Sequence, residues 1–288
     1  MPELDLYALL RLSRTAADLG HYNLGKLLNA AAASLANRSL YAESLPRTDR
    51  ELAKAVSQLE PVLREAGLDP RLLDTIRHAR ETVAAGNLIF YDDAPPVWVC
   101  RVCGDVALRA LPDHCPQCGA GTLAFQLFPA AFYLEPEPAP MLMAQLARTP
   151  DWLDAILRSL TTEQTTRRMD GTEGTWSLHE AAGHLLDTQH LIAQRVDLFM
   201  EHAAPNLSAK AMWQAVESAK LSVAEIAAEF RLSREAMLTQ LRSAPADRWT
   251  NVGQHAEFGP VTLQQQCTYF AKHEQWHMAQ ITRIRRAL

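Results

Sequence analysis

The chain has 288 residues, of which 48% are hydrophobic and 21% are charged, and its formal net charge is −5. This is the composition of a globular protein with a packed core, and the length suggests two or three domains of roughly 100–150 residues each. Lys and Arg form no dense block, so neither a nucleic acid nor an anionic membrane is expected as a partner.

The first ten residues, MPELDLYALL, lack the positive charges of a signal peptide, and no apolar run approaches the roughly 20 residues that span a bilayer. We therefore expect a cytoplasmic protein that is not bound to a membrane.

Two proline-rich segments, DDAPP at 92–96 and EPEPAP at 135–140, interrupt the chain. Proline fixes φ and cannot donate a backbone hydrogen bond, so such runs are typical of connectors. They predict three parts in a mainly α protein: a helical domain at 1–90, a small ribbon at 91–135 and a helical bundle at 136–288.

The first part, residues 1–90, has leucines at helical spacing and predicts three or four helices. TDRE at 48–51 has the pattern of a capping box, and Gly20 and Gly25 are candidate breaks in the first long helix. The alanine-rich stretch 1–40 offers a face through which two copies could form a homodimer. We assign this part a structural role.

The ribbon contains four cysteines in two pairs, Cys100-x-x-Cys103 and Cys115-x-x-Cys118, and a glycine follows each pair. In a reducing compartment this grouping favours a metal over disulfides. Two such turns can present four thiolates as a tetrahedron, and the glycines relieve the tight backbone after each second ligand.

This segment resembles the rubredoxin-like zinc ribbon of rubrerythrins, both in the aromatic residue before the first cysteine and in the second knuckle, C-P-x-C-G. Zn²⁺ would make it a structural staple, whereas iron would make it an electron carrier. Rubrerythrins also carry a di-iron bundle, which needs two Glu-x-x-His motifs, and residues 1–90 contain none. A peroxide-reducing di-iron centre is therefore not expected.

The last part predicts four long helices, at 141–166, 177–203, 208–243 and 261–287, which together suggest a four-helix bundle.

His273 and His277 are four residues apart on the apolar stripe of the last helix, where they could hold a metal or form hydrogen bonds in the core. His184 flanks the apolar arc of the second helix and is the candidate third ligand. We expect Glu274, His179 and His190 to be solvated. Cys267 should be a buried thiol.

Two motifs of this part resemble those of the DinB/YfiT family of metalloenzymes. They are W-S-x-x-E-x-x-x-H-L-x-D, from Trp176 to Asp187, and H-x-x-x-H-x-x-Q, from His273 to Gln280. The resemblance implies that His184, His273 and His277 bind one divalent metal, Zn²⁺, Ni²⁺ or Fe²⁺, in a bundle of up-down-down-up topology. It also makes Gln280 and Asp187 candidates to orient a ligand or an imidazole.

Members of that family act as S-transferases for low-molecular-weight thiols, as a thiol-dependent isomerase or as hydrolases. Three neutral imidazoles leave coordination positions open, as catalytic metal sites do. The leading hypothesis is therefore a metal-dependent transferase or hydrolase that uses a thiol or water as nucleophile on a small-molecule substrate. The alternatives are a metal-stabilised scaffold and, if the cysteines hold iron, a rubredoxin-like electron carrier.

Overall fold

The computed structural model describes residues 6–42, 48–129, 135–168, 176–207 and 218–288, and the fold is mainly helical, as predicted. The chain folds into two compact units, residues 1–51 and 52–288. The division into three parts at residues 90 and 135 stays a prediction. No helix among the described residues is both long and apolar enough to span a bilayer.

The first unit contains a pair of packed helices, α1 (Leu6–Asp18) and α2 (Tyr22–Ala42). Gly20 lies between them with φ +85, a conformation that side chains disfavour, which confirms the break predicted there. A break at Gly25 was wrong, because Gly25 lies inside α2. It instead lets the two helices approach closely, because a Cβ at this position would lie 2.9 Å from the carbonyl oxygen of Ser13. The Ser13 hydroxyl donates a hydrogen bond of 2.8 Å to the Gly25 carbonyl.

Helix α3 spans Asp49–Glu65 and α4 spans Pro70–Ala84, so the described residues of 1–90 form four helices. The amide of Glu51 donates to the Thr48 hydroxyl at 3.2 Å, as the TDRE pattern predicts. Arg77 on α4 donates to the Glu60 carboxylate on α3, with Nη2 2.6 Å from Oε1. This ion pair joins the two helices.

The cysteine-containing segment forms a three-stranded antiparallel sheet in the order β2-β1-β3, with β1 at Val97–Cys100, β2 at Val106–Leu108 and β3 at Phe125–Phe128. Val99 pairs with Val106, and Cys100 pairs with Phe125. Cys100, Cys115 and Phe125 are buried together in a small core. The sheet is too small to supply a large core of its own.

The remaining helices are α5 (Ala139–Leu146), α6 (Thr149–Leu157), α7 (Thr162–Thr166), α8 (Leu178–Glu201), α9 (Val223–Ser243) and α10 (Leu263–Ala287). A hairpin of β4 (Val252–His255) and β5 (Gly259–Thr262) precedes α10. The single helix predicted at 141–166 was wrong, because a new helix begins at Thr149, with Pro150 in its first turn, and Ser159 adopts a φ of +69. The helix predicted from 208 begins only at Val223, after Ser222 caps it, and residues 208–217 lie outside the described part.

Residue pairs between the helices define the bundle topology. From one pair to the next, the residue numbers rise in both helices for α8 with α9 and for α5–α6 with α10, so these helices run parallel. Between α8 and α10 the residue numbers rise in one helix as they fall in the other, so these two helices run antiparallel. The pairs are Gln189–Ser233 and Asp197–Gln240, then Glu137–Thr268 and Thr149–Glu274, and finally His184–His273 and Arg195–Gln266. The connectivity is therefore up-down-down-up, as expected, when α5 and α6 together count as the first helix.

Candidate metal centres

The three histidines predicted as ligands lie together in the bundle. Capping boxes at Ser177 and Thr262 fix the starts of α8 and α10, and from these helices the imidazoles point at one another. Nε2 of His273 is 3.3 Å from Nε2 of His184 and 3.2 Å from Nε2 of His277. One ligand atom from each ring lies within 4.8 Å of the other two.

These distances fit a divalent metal. Zinc–imidazole bonds of about 2.0–2.1 Å in a tetrahedron place neighbouring nitrogens roughly 3.3 Å apart. A set of imidazole nitrogens alone suits zinc, nickel and iron better than Mg²⁺ or Ca²⁺. The donor set leaves room in the tetrahedron for a further ligand.

A hydrogen bond fixes the tautomer of His277. Its Nδ1 lies 2.8 Å from Oε1 of Gln280, which can only accept, so the proton is on Nδ1 and the lone pair of Nε2 faces the other imidazoles. Gln280 thus contacts the outer side of the ring. Nδ1 of His273 is buried and has no hydrogen-bond partner among the described residues.

Burial keeps all three imidazoles neutral at pH 7. Desolvation, and then the charge of His277, lower the pKa of His184 to about 4. Desolvation, and then the charges of the other two histidines, lower the pKa of His273 to about 3. Desolvation also lowers the pKa of His277, although the Gln280 hydrogen bond opposes this shift. Neutral imidazoles are the form that binds a metal.

A pocket of about 280 Å³ opens beside His184, and its lining includes Trp176, Asp187 and Ser218. The Trp176 ring stacks on His277 at 5.7 Å with an interplanar angle of 6° and meets His184 edge-on at 4.9 Å. The motif from Trp176 to Asp187 therefore supplies one wall of the pocket as well as the candidate ligand His184.

Asp187 lies in the same pocket. Its Oδ2 accepts a hydrogen bond of 3.1 Å from Ser218, while its Oδ1 is buried without a partner in the described part of the chain. Burial raises the pKa of this carboxyl group.

His179, expected to be solvated, is instead half-buried and has Nε2 2.7 Å from the Leu221 carbonyl oxygen.

The expectation that Glu274 is solvated was wrong. Only 4% of Glu274 is exposed, and its carboxylate pairs with Arg234, which is fully buried on α9. The Thr149 hydroxyl donates to Oε2 of Glu274 at 2.6 Å. Arg234 follows Phe230 and precedes Met237 and Leu241 on one apolar stripe, and a lone charge on such a stripe is the signal that could have revealed this buried pair.

The four cysteines form a second cluster, with Sγ–Sγ distances of 3.7 Å between Cys100 and Cys118 and 3.5 Å between Cys103 and Cys115. Metal–sulfur bonds of about 2.3 Å place tetrahedral sulfurs roughly 3.75 Å apart. The two turns are equivalent: the amide of the glycine after each pair donates to the carbonyl of the first cysteine of that pair. Cys267, as predicted, is a fully buried thiol outside both clusters, and burial raises its pKa to about 12.

The DinB superfamily model matches residues 106–281, which is more than half of the chain and contains all three histidines. The chain belongs to the DinB superfamily. Among solved structures, YfiT from Bacillus subtilis, described as a probable metal-dependent hydrolase with an unusual four-helix bundle topology, is 18% identical to this DinB-superfamily chain. That alignment covers 51% of this chain and 86% of YfiT with a TM-score of 0.46. No curated protein matches the chain.

Proposed function

We propose that this DinB-superfamily chain is a metal-dependent enzyme, with one divalent ion held by His184, His273 and His277. The observation that carries the proposal is the convergence of three neutral imidazoles, from two helices, at the spacing of metal ligands. When bound, Zn²⁺, Ni²⁺ or Fe²⁺ would supply a Lewis acid that makes a water or a thiol more acidic.

The residues around the histidines supply the rest of the chemistry. We assign the partnerless carboxylate oxygen of Asp187 the role of proton acceptor, because it lies in the pocket that His184 lines and burial raises its pKa. Ser218 holds the other oxygen and fixes the carboxylate. Trp176 covers the rings of His184 and His277 and limits access of bulk water to them.

The nucleophile comes from outside the chain in this proposal. Cys267 cannot serve, because it is fully buried and its pKa of about 12 keeps it protonated. The remaining cysteines form the other cluster. The reaction is therefore transfer of a group from a small molecule either to water, as in a hydrolase, or to a low-molecular-weight thiol, as in an S-transferase.

We assign the four-cysteine cluster a closed, structural Zn²⁺ site. Its four sulfurs fill a tetrahedron, so no position is left for a substrate. Iron in the same cage would instead give an electron carrier. Colour separates the two, because a ferric tetrathiolate protein is red and the zinc protein is colourless.

Metal content and turnover test the proposal together. Elemental analysis of the purified full chain should find two metal ions per chain, and one in His273→Ala. His190→Ala is the matched control, because His190 lies on the same helix as His184 but pairs with Glu229. The variant that lacks one ion should also lose hydrolysis or thiol transfer in a panel of activated esters, amides and thiols. Two ions in His273→Ala would contradict the site, and a wild-type protein with both ions but no turnover would favour the scaffold.

A further inference from the structure

Two arginines are buried in the bundle, and they differ in how their hydrogen bonds and charges are satisfied. Arg234 is fully buried, and its guanidinium donates to Gln189 Oε1 at 2.7 Å, to the Leu146 carbonyl at 2.8 Å and to Glu274. Its charge and its donors are matched by partners within the chain. This arginine is a structural element.

Arg195 on α8 is 3% exposed, yet no carboxylate of a described residue lies within the 4.0 Å of an ion pair. Its Nη1 donates to Oε1 of Gln266 at 3.3 Å, and its Nε is buried with no partner among the residues that the structure describes. Burying a guanidinium without a counter-ion is strongly unfavourable. An anion bound beside Arg195 would offset this cost.

Gln266 on α10 adds a second donor to the same place. It is fully buried, and its Nε2 also has no partner in the described part of the chain. A guanidinium carries no acceptor, so Oε1 must face Arg195 and the amide nitrogen remains available to donate. Two buried, partnerless N–H groups beside one positive charge form a site for an oxyanion.

The described groups around Arg195 include no carboxylate in an ion pair with it, and the Phe270 ring lies 5.7 Å from the guanidinium carbon in a cation–π contact. Burial lowers the pKa of Arg195 to about 10, so it remains protonated at neutral pH. His255 is neutral, because burial and the charge of Arg195 lower its pKa to about 3. The charge of Glu257 raises the pKa of Arg195 from beyond ion-pair distance, and burial raises the pKa of Glu257 itself.

We propose that Arg195 and Gln266 bind the carboxylate of a small molecule inside the bundle. A carboxylate brings one negative charge, which a single guanidinium can balance, whereas a phosphate dianion would leave a second charge buried. Arg195 follows His184 by eleven residues and Gln266 precedes His273 by seven, which are close to whole numbers of turns. Both groups thus lie on the helix faces that carry the imidazoles, with Gln266 roughly 10 Å along α10 from His273.

The Tyr269 ring lies 6.0 Å from the ring of His273, and Tyr269 itself lies between Gln266 and His273 along α10. The carboxylate site goes beyond the proposed metal chemistry, which would operate without it.

The test is carboxylate binding by the purified full chain, followed by thermal unfolding and calorimetry. The probes are mono- and dicarboxylates of two to six carbons, with inorganic phosphate and chloride compared at equal ionic strength. At about a hundred times Kd, a bound carboxylate should raise Tm by about 5–10 °C. His273→Ala should respond equally, which separates binding at Arg195 from binding to a metal.

Three variants make the test specific. Arg195→Met should lose the response and leave the Tm without ligand unchanged or higher, because an uncompensated charge is removed. Arg234→Met, the matched control, should lower Tm and keep the response if it folds. Gln266→Glu should raise Tm and abolish the response, because it places a carboxylate beside Arg195 within the chain.

Other outcomes would overturn the proposal. No Tm rise with any carboxylate, together with a loss of stability in Arg195→Met, would make Arg195 a structural residue like Arg234. A response to phosphate alone would overturn the assignment to a carboxylate. A response that disappears in His273→Ala would place the anion at the metal, which would leave the proposed metal site intact but not this one.

Discussion

Glu274→Gln is the change that most directly probes the buried ion pair behind the histidines. The substitution keeps the shape of the side chain but removes its charge, and it leaves the guanidinium of Arg234 buried with neutral partners only. Arg234 is 0% exposed and the side chain of Glu274 is 5% exposed, so water cannot replace the lost carboxylate. Breaking one partner of such a pair costs about 3–5 kcal/mol.

That magnitude can be measured by urea unfolding and by Tm. For a unit of this size a loss of 1 kcal/mol lowers Tm by about 2–4 °C, so Glu274→Gln should unfold roughly 10 °C below the wild type. Asp151→Asn is the matched control, because the side chain of Asp151 is 79% exposed and its ion pair with Arg231 should contribute less than about 1 kcal/mol.

The same variant should also weaken metal binding, because the Glu274–Arg234 pair holds α10 against α9 at a position between His273 and His277. Competition with a chromogenic chelator measures this affinity. A Glu274→Gln protein within 1 kcal/mol of the wild type would refute the reasoning that the pair is desolvated.

Two further predictions concern the histidines and the cysteine turns. Burial holds the pKa of His184 at about 4 and that of His273 at about 3, against 6.5 in the unfolded chain, so the unfolded chain binds more protons below pH 6.5. The metal-free protein should therefore keep its full stability above about pH 6.5 and lose it as the pH falls towards 4. Urea unfolding at pH 7 and pH 5 measures this loss, which His273→Gln should reduce; equal stability at both pH values would contradict the burial. Gly119→Ala should cost about 1–2 kcal/mol, because Gly119 has φ +75, and should release the metal at a lower chelator concentration. Gly121→Ala, with φ −70 and open space around its Cβ, should match the wild type, and equal chelator sensitivity of the two variants would count against the strained turn.

The sequence predicts best the features that depend on residues close together along the chain, such as helix starts. The starts of α3 and α8 follow from the capping patterns at Thr48 and Ser177, because a cap depends on residues three positions apart. The pairing of His273 with His277 follows from helix geometry in the same way. The helical wheel singled out His184 as the candidate third ligand, but only the resemblance to a family joined it to His273 and His277, because His184 is 89 residues from His273 along the chain.

The sequence predictions fail where the burial or the contacts of a residue depend on an element that is distant along the chain. Glu274 is off the histidine stripe, but α10 contacts α8 on one side and α5 and α6 on another, so a second face of this helix is buried too. The break before α6 was missed because Pro150 suits the first turn of a new helix as well as an interruption of a long one. Arg195 and Gln266 carry no local signal, since they come together only when α8 and α10 pack antiparallel.

Anomalous diffraction from crystals of the full chain, recorded on both sides of the zinc, nickel and iron absorption edges, tests the central claim most directly. We expect one ion about 2.0–2.3 Å from Nε2 of His184, His273 and His277, with a non-protein ligand in the remaining position, and a second ion among the four cysteines. Three imidazoles joined only by hydrogen bonds, with no anomalous peak between them under metal-replete conditions, would contradict the proposed enzyme.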